Sequence, residues 1–213
     1  MIKMKPVIRI VRWDRDTLDP SFLSFWFTEF FKHEPWNEYL MCPRCKNQDY
    51  GPTHTYGIEE VLAKGLRRCP VCGAELVLFW SEERVMSYLL SKPGNYGEVV
   101  FYDNEVAGWW RGYPVGPESF YIDVVAVLPR FRKELGVGFF LEEFKKALEK
   151  KRQEGFKHFI TRTHKRAKNI RALLSRIGFQ EKEASEEDKN RTYWVFEPEA
   201  APPAASFYFL FQS

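Results

Sequence analysis

Four cysteines carry the plainest chemistry in the chain. They fall in two knuckles, Cys42-Pro-Arg-Cys45 and Cys69-Pro-Val-Cys72, separated by 23 residues. Two C-x-x-C pairs let four thiolates converge on one Zn2+ at about 2.3 Å each, a closed tetrahedral set with no open position. A disulfide framework fits poorly, because no secretory signal is visible and every cysteine sits in a paired knuckle. A redox C-x-x-C needs only one pair beside a helix start; an iron centre is the remaining metal option. His54 lies between the knuckles, but four sulfurs already fill the site. The metal's expected role is scaffolding, since an insertion of about 35 residues is expected to lack a core of its own.

A second candidate is the stretch VLPRFRKELGVGFF, Val127 to Phe140. A strand ending in proline, a short basic loop and Gly136-Val137-Gly138 opening a helix suit a pyrophosphate. Glycine lets the backbone approach closely, and the orphan N–H groups and dipole of a helix start favour negative charge. Just upstream, Asp123 is an acidic residue inside the apolar run FYIDVVAV. Strand alternation puts it on one face with Tyr121, Val125 and Val127. Such a carboxylate is either a general base or the partner of a Lys or Arg across the sheet.

The elements that must position these groups follow from pattern. PVIRIVRW reads as a strand, and Asp19 caps a helix over SFLSFWFTEFFKHE. From Met41 to about Leu78 the periodicity lapses into Gly, Pro and Cys, marking an inserted module over 41–78. A short helix from Ser81 to Ser91 precedes a hairpin, GEVVFYD and VAGWWRGY around Asp103-Asn104-Glu105. FYIDVVAVLP is the strongest strand; Gly136 to Glu154 reads as a helix closed by Gly155. HFITRTH is a strand, Asn169 to Ile177 a helix ended by Gly178, and FQEKEA with RTYWVFE a closing antiparallel pair. Residues 200–213 form a Pro/Ala linker and an aromatic tail.

At 213 residues, 45% apolar and 29% charged, the chain is of globular type with a sizeable core. Its longest apolar runs fall short of the roughly 20 residues that span a bilayer, so a soluble, cytoplasmic protein without membrane contact is expected. The net charge of +3 is uneven. Arg130 to Arg176 hold fifteen Lys and Arg against five Asp and Glu, a net +10 that leaves the rest at −7. This basic segment suits an anionic ligand, although EEFKKALEKKRQE also alternates sign as solvated helix faces do. Around the cysteines Arg44, Lys46, Arg67 and Arg68 are offset by Asp49, Glu59 and Glu60, so nucleic-acid or protein contact through this module is a secondary expectation.

VVAV, the basic Gly-x-Gly loop and the later segment NIRALLSRIGF together resemble the GNAT acetyltransferase superfamily, closely over Phe120 to Phe179. The resemblance implies an α+β acyl-CoA N-acyltransferase fold over residues 1–199, with a mixed, mainly antiparallel sheet splayed at its centre and the zinc-ribbon-like module inserted. It implies acetyl-CoA as cosubstrate and transfer of its acetyl group to an amine of unidentified acceptor. Pantetheine would pair with the backbone of Val125, Ala126 and Val127. The pyrophosphate would lie on Lys133-Glu-Leu-Gly136-Val137-Gly138, with Arg132 the alternative leading residue because the loop is one residue longer than usual. Asn169 would flank the cofactor's far end.

Two departures stand out: Glu134 brings a carboxylate to a phosphate loop, and Leu174 stands where many members carry a proton-donating tyrosine. Thiolate release would then use water, Tyr193 or Ser175. Asp123 is the leading base, with Glu118 and Tyr121 as substitutes, and the Val127 amide the candidate oxyanion donor. His164, followed by Lys165-Arg166, reads as a surface or phosphate-side residue. The acceptor site would draw on Trp26, Phe30, Trp36, Trp109, Trp110 and Tyr113, and of the adjacent Trp109-Trp110 pair one must leave the core. The alternative is a non-catalytic binding protein in which the zinc module contacts nucleic acid or protein.

Overall fold

The computed structural model describes residues 7–13, 19–47, 51–52, 55–90, 96–183 and 189–198. In chain order the elements are β1 (Ile8–Trp13), α1 (Pro20–Phe31), β2 (Leu40–Met41), β3 (Lys46–Asn47), β4 (Gly51–Pro52), β5 (Thr55–Tyr56), α2 (Ile58–Lys64) and β6 (Val77–Leu78). There follow α3 (Glu82–Leu90), β7 (Tyr96–Tyr102), β8 (Glu105–Pro114), β9 (Ser119–Val127), α4 (Arg132–Gln153), β10 (His158–His164), α5 (Lys168–Ile177), β11 (Gln180–Lys182) and β12 (Arg191–Phe196). The 200–213 tail, His54 and Asp49 lie outside the described residues.

Seven strands form one sheet in the order β1-β7-β8-β9-β10-β12-β11. Every pairing is antiparallel except β9 with β10, the mixed sheet that the sequence leads one to expect. The hairpin between β7 and β8 turns on Asp103 and Asn104, both at positive φ (48° and 69°), where their short polar side chains are tolerated. Helix α1 starts where Asp19 Oδ1 accepts the Ser21 amide at 2.8 Å.

Both faces of the sheet are covered, and each cover has a core. On one face α1 and α3 pack Leu23, Phe27, Val85 and Leu89 against Val99, Phe101 and Trp109. Phe27 is fully buried and stacks on Trp109 at 4.6 Å, worth roughly 2 kcal/mol of transfer energy. On the other, α4 and α5 pack Leu141, Phe144, Leu148, Leu174 and Ile177 against Trp110, Phe120, Ile122, Phe159 and Trp194. Trp109 and Trp110 do point opposite ways, yet both are buried, 1% and 8% exposed. The expectation that one leaves the core fails because a two-sided sheet offers each its own interior.

The inserted module also departs from expectation. It holds a three-stranded sheet, β5-β2-β6, and the helix α2. Leu40, Tyr56, Val61, Ala74 and Leu76 close around Cys42 and Cys69 as a small core of its own. Its ends meet: Leu40 pairs with Leu78, and just outside Tyr39 stacks on Phe79 at 4.1 Å.

Candidate active site and metal centre

The parallel pair β9/β10 is short. It registers Ser119–Ile122 with His158–Thr161 and goes no further, although β9 runs to Val127 and β10 to His164. Thr161 Oγ1 donates to the Ile122 carbonyl at 2.8 Å, closing the pairing where the strands part. Beyond it the β10-facing edge of β9 borders a cleft. Leu128 donates its amide to Ala107 on β8 at 2.9 Å. Successive antiparallel residues alternate in direction, so the amides of Val125 and Val127 face away from β8 and into that cleft.

A bulge marks the same point. Arg111 pairs with Val124 but Gly112 with Ile122, which leaves Asp123 as the extra residue. This breaks the alternation expected for FYIDVVAV. Val124 packs on the core under α1 and α3, and Val125 on the other, while Asp123 engages α3 and β8 on the same face as Val124. Asp123 therefore keeps company with Tyr121 but not with Val125.

At the mouth of the cleft the chain turns through a 3-10 segment, Pro129–Phe131, into α4. Helical geometry begins at Arg132 rather than at Gly136, because Arg132 to Leu135 make a turn of their own before Gly136 breaks it with φ 70° and ψ 155°. That backbone is open to glycine alone, and the helix restarts behind it with fresh amides facing the loop. Arg132 folds back, its Nε donating to the Val127 carbonyl at 3.2 Å. Lys133, Glu134 and Gly138 are exposed, so the Glu134 carboxylate turns outward. Asn169 is exposed near the start of α5.

The Asp123 carboxylate has two partners on one oxygen. Tyr88 of α3 donates its hydroxyl to Oδ2, and Arg111 Nε lies 3.8 Å from the same atom. Burial, reinforced by Asp123, pushes the Tyr88 phenol far above its ordinary range. Burial and Asp123 raise Tyr113 likewise, and Tyr121 is pushed up to about 12, burial outweighing Arg162. These phenols are donors at neutral pH, not bases. Glu118, the substitute base, pairs instead with Lys157 at 2.7 Å in an exposed loop.

Leu174 is 1% exposed in the core beneath α5, and Ser175 is exposed on its outer side. His164 is not a surface residue: it is 4% exposed, and its Nδ1 accepts the Arg166 amide at 3.2 Å. Of the aromatics assigned to the acceptor, Trp26, Phe30 and Trp36 pack partly against the α1/α3 core and Trp109 is inside it. Tyr113 alone stands beside the cleft residues, 5.4 Å from Tyr121.

Arg111, Tyr88 and Arg162 are what sequence reasoning missed. Arg111 had a signal, a lone charge in VAGWWRGY, of the same kind that singled out Asp123.

The four cysteines come together. Their ligand atoms all lie within 4.8 Å of one another, with Cys42 and Cys72 sulfurs 3.4 Å apart and Cys45 and Cys69 3.8 Å apart. A tetrahedron with bonds of about 2.3 Å has edges of about 3.8 Å, so the set fits one metal ion. The Cys45 amide donates to Cys42 Sγ at 3.3 Å, as knuckles do to quench thiolate charge. A hydrogen bond from the Tyr56 hydroxyl, 3.3 Å away, holds the Cys69 thiol down at about 6. The module docks by Glu59, which accepts both Arg166 Nε (2.7 Å) and Nη2 (3.0 Å) from the turn after β10.

The profile of the Acetyltransferase (GNAT) family matches residues 67–179, just over half of the chain. No curated protein sequence matches it. Among solved structures the chain is similar to the PaiA N-acetyltransferase of Thermoplasma acidophilum in complex with coenzyme A, at 13% identity and a TM-score of 0.54, over 90% of this chain and 99% of that one. It is also similar to a domain from Methanocaldococcus jannaschii (13%, TM-score 0.53, 91% and 99%). A third is a GNAT family acetyltransferase from Elizabethkingia anophelis with acetyl-CoA bound (16%, TM-score 0.50, 89% and 97%). At such identities the likeness bears on the fold.

Proposed function

Because this chain belongs to the acetyltransferase (GNAT) family, we propose that it moves the acetyl group of acetyl-CoA onto an amine. The observation that carries this reading is the parting of β9 from β10 after Ile122 and Thr161, which leaves backbone amides bordering a cleft. Val125 and Val127 pair with the pantetheine arm through their backbone, while Ala126 between them keeps the strand on Trp109 of β8. The amides behind the Gly136 break receive the pyrophosphate, with Lys133 adding charge at the rim and Arg132 bracing the end of β9. Asn169 and the start of α5 flank the nucleotide end.

In the reaction the amine nitrogen attacks the thioester carbonyl carbon, and Asp123 takes the ammonium proton directly or through water. The Val127 amide donates to the oxygen as it becomes an oxyanion. Collapse breaks the carbon–sulfur bond, and coenzyme A leaves as thiolate. Its proton comes from water or Tyr193, because Leu174 has no proton to give. The half-buried surface of Tyr113, Tyr121, Asp123, Arg162 and Tyr193 is the acceptor side. Cys42, Cys45, Cys69 and Cys72 hold a structural Zn2+ in the module tied to the turn after β10, a thiolate set suited to a reducing, cytoplasmic setting.

Calorimetry with acetyl-CoA tests the first step: absence of heat at millimolar ligand would end the reading. A thiol-release assay against amino acids, polyamines and lysine-rich peptides then identifies the amine class. Asp123→Asn is expected to depress turnover at least about 100-fold with coenzyme A affinity intact; an unchanged rate removes Asp123 as base.

A further inference from the structure

Arg111 is the most deeply buried charge in the described chain, with no exposed surface at all. Its Nη2 donates to the Tyr88 carbonyl over a long 3.4 Å; its Nε and Nη1 find no hydrogen-bond partner among the described residues. The guanidinium lies 4.5 Å above the Tyr88 ring and 5.5 Å from that of Trp13. Its carboxylate neighbour is Asp123. As a device for stability this arrangement is poor. Desolvating a guanidinium costs several kcal/mol, and replacing a buried ion pair by apolar side chains is often neutral or stabilising.

The geometry explains what the arrangement does instead. Tyr88 touches both members of the pair: its carbonyl accepts from Arg111, its ring supports the guanidinium, and its hydroxyl donates to Asp123. Arg111 Nε and the Tyr88 hydroxyl converge on one carboxylate oxygen, Oδ2. The Asp123 side chain keeps 15% of its surface exposed, so the carboxylate is held at Oδ2 without being sealed from the acceptor side. The bulge makes this possible, since it turns Asp123 onto the face of Arg111 and α3 at the first residue beyond the parted strands.

We infer that Arg111 and Tyr88 are positioning residues that clamp Asp123 by Oδ2, presenting Oδ1 to the acceptor amine. The inference rests on the proposed acetyl transfer and on Asp123 as its base. The other charged and titratable groups around this carboxylate are Tyr113 on β8, Tyr121 on β9 and Arg162 on β10. Arg162 is the only one of these that carries charge at neutral pH, so Arg111→Met leaves a single cation on that side. The variant thereby removes one favourable charge interaction with the Asp123 carboxylate.

The test compares Arg111→Met, Arg111→Lys, Tyr88→Phe and Asp123→Asn with the parent. Three readouts are used: turnover of acetyl-CoA with the amine active in the thiol-release screen, coenzyme A affinity by calorimetry, and titration of Asp123 followed by carbon-13 NMR of labelled aspartate. Arg111→Met is expected to lower kcat about 10-fold or more, to leave coenzyme A affinity within twofold, and to move the acidic limb of the rate profile and the measured Asp123 titration upwards together. Arg111→Lys restores the limb but not the full rate, having charge without the fork.

Tyr88→Phe keeps the packing and is expected to cut kcat several-fold, so the inference stays testable if Arg111→Met does not fold. An Asp123 titration and kcat that are the same in Arg111→Met and Tyr88→Phe as in the parent would overturn the clamp. Should Asp123→Asn retain full activity, the base assignment falls, while the NMR titration still reports whether the clamp exists.

Discussion

Replacing Gly136 by alanine perturbs the loop at one atom. The backbone there has φ 70° and ψ 155°, and a Cβ built on it meets nothing within 4 Å. The effect must therefore come from torsion and not from collision. Holding an L-residue in this region costs of order 1–3 kcal/mol. Lys133 and Glu134 before the break and Gly138 after it are exposed, so the free protein can relax by moving Lys133 and Glu134 while Leu135 stays in the core, and its melting temperature should fall little. Under the proposed function coenzyme A needs the unrelaxed loop, so the cost is expected to reappear in binding as a loss of about 5- to 150-fold in affinity.

The internal control is Gly138→Ala. Gly138 follows the break, its φ lies outside the left-handed range, and its added Cβ also meets nothing. There alanine is expected to raise stability by about 0.5–1 kcal/mol as in any helix and to leave coenzyme A affinity within twofold. Calorimetry with coenzyme A and thermal unfolding of both variants measure the two effects separately. Equal affinities for Gly136→Ala and the parent would refute the assignment of the broken turn as the phosphate loop.

Other outcomes follow from the same geometry. Leu174→Tyr, which would restore the tyrosine common in this family, is expected to destabilise by about 1–3 kcal/mol without raising kcat, because Leu174 is packed in a core; thermal melts and steady-state rates decide. Metal analysis should find one zinc per chain, and Cys42→Ser should release it and unfold the module, seen by circular dichroism and by proteolysis within 41–78. Tyr121, pushed up to about 12, makes stability fall at high pH. The folded state holds the phenolic proton more tightly than the unfolded chain, so the contribution is whole below about pH 10 and is lost as pH climbs towards 12. Melting temperature and tyrosinate absorbance should change together over that window.

Much of this was legible in the residues. The knuckle spacing brings four sulfurs together whatever the intervening chain does, and the β-branched runs became strands in the expected order. What stayed hidden depends on partners. The bulge at Asp123 exists only in the register of β9 against β8, so FYIDVVAV alone reads as a regular strand. The Arg111–Asp123 pair joins adjacent strands, and its third member, Tyr88, comes from a helix before both. IEEVLAK is seven residues long, too short for helical periodicity to rise above the Gly and Pro around it. Trp109 and Trp110 misled because one strand's alternation gives opposite faces but not whether each is covered.

The neck of the inserted module has a consequence for modularity. With Leu40 beside Leu78, chain entry and exit lie a strand spacing apart, so the host fold sees everything between them as the loop of one hairpin. Closing a longer loop adds only about 0.6 kcal/mol per doubling, so a module of this size can be carried, exchanged or lost without rebuilding the sheet. A version of this chain with a four-residue turn joining Tyr39 to Phe79 should keep the Tyr39–Phe79 stack and fold around the same two cores. It would lose the Glu59–Arg166 and Arg67–Glu38 ties that join the module to the rest of the fold.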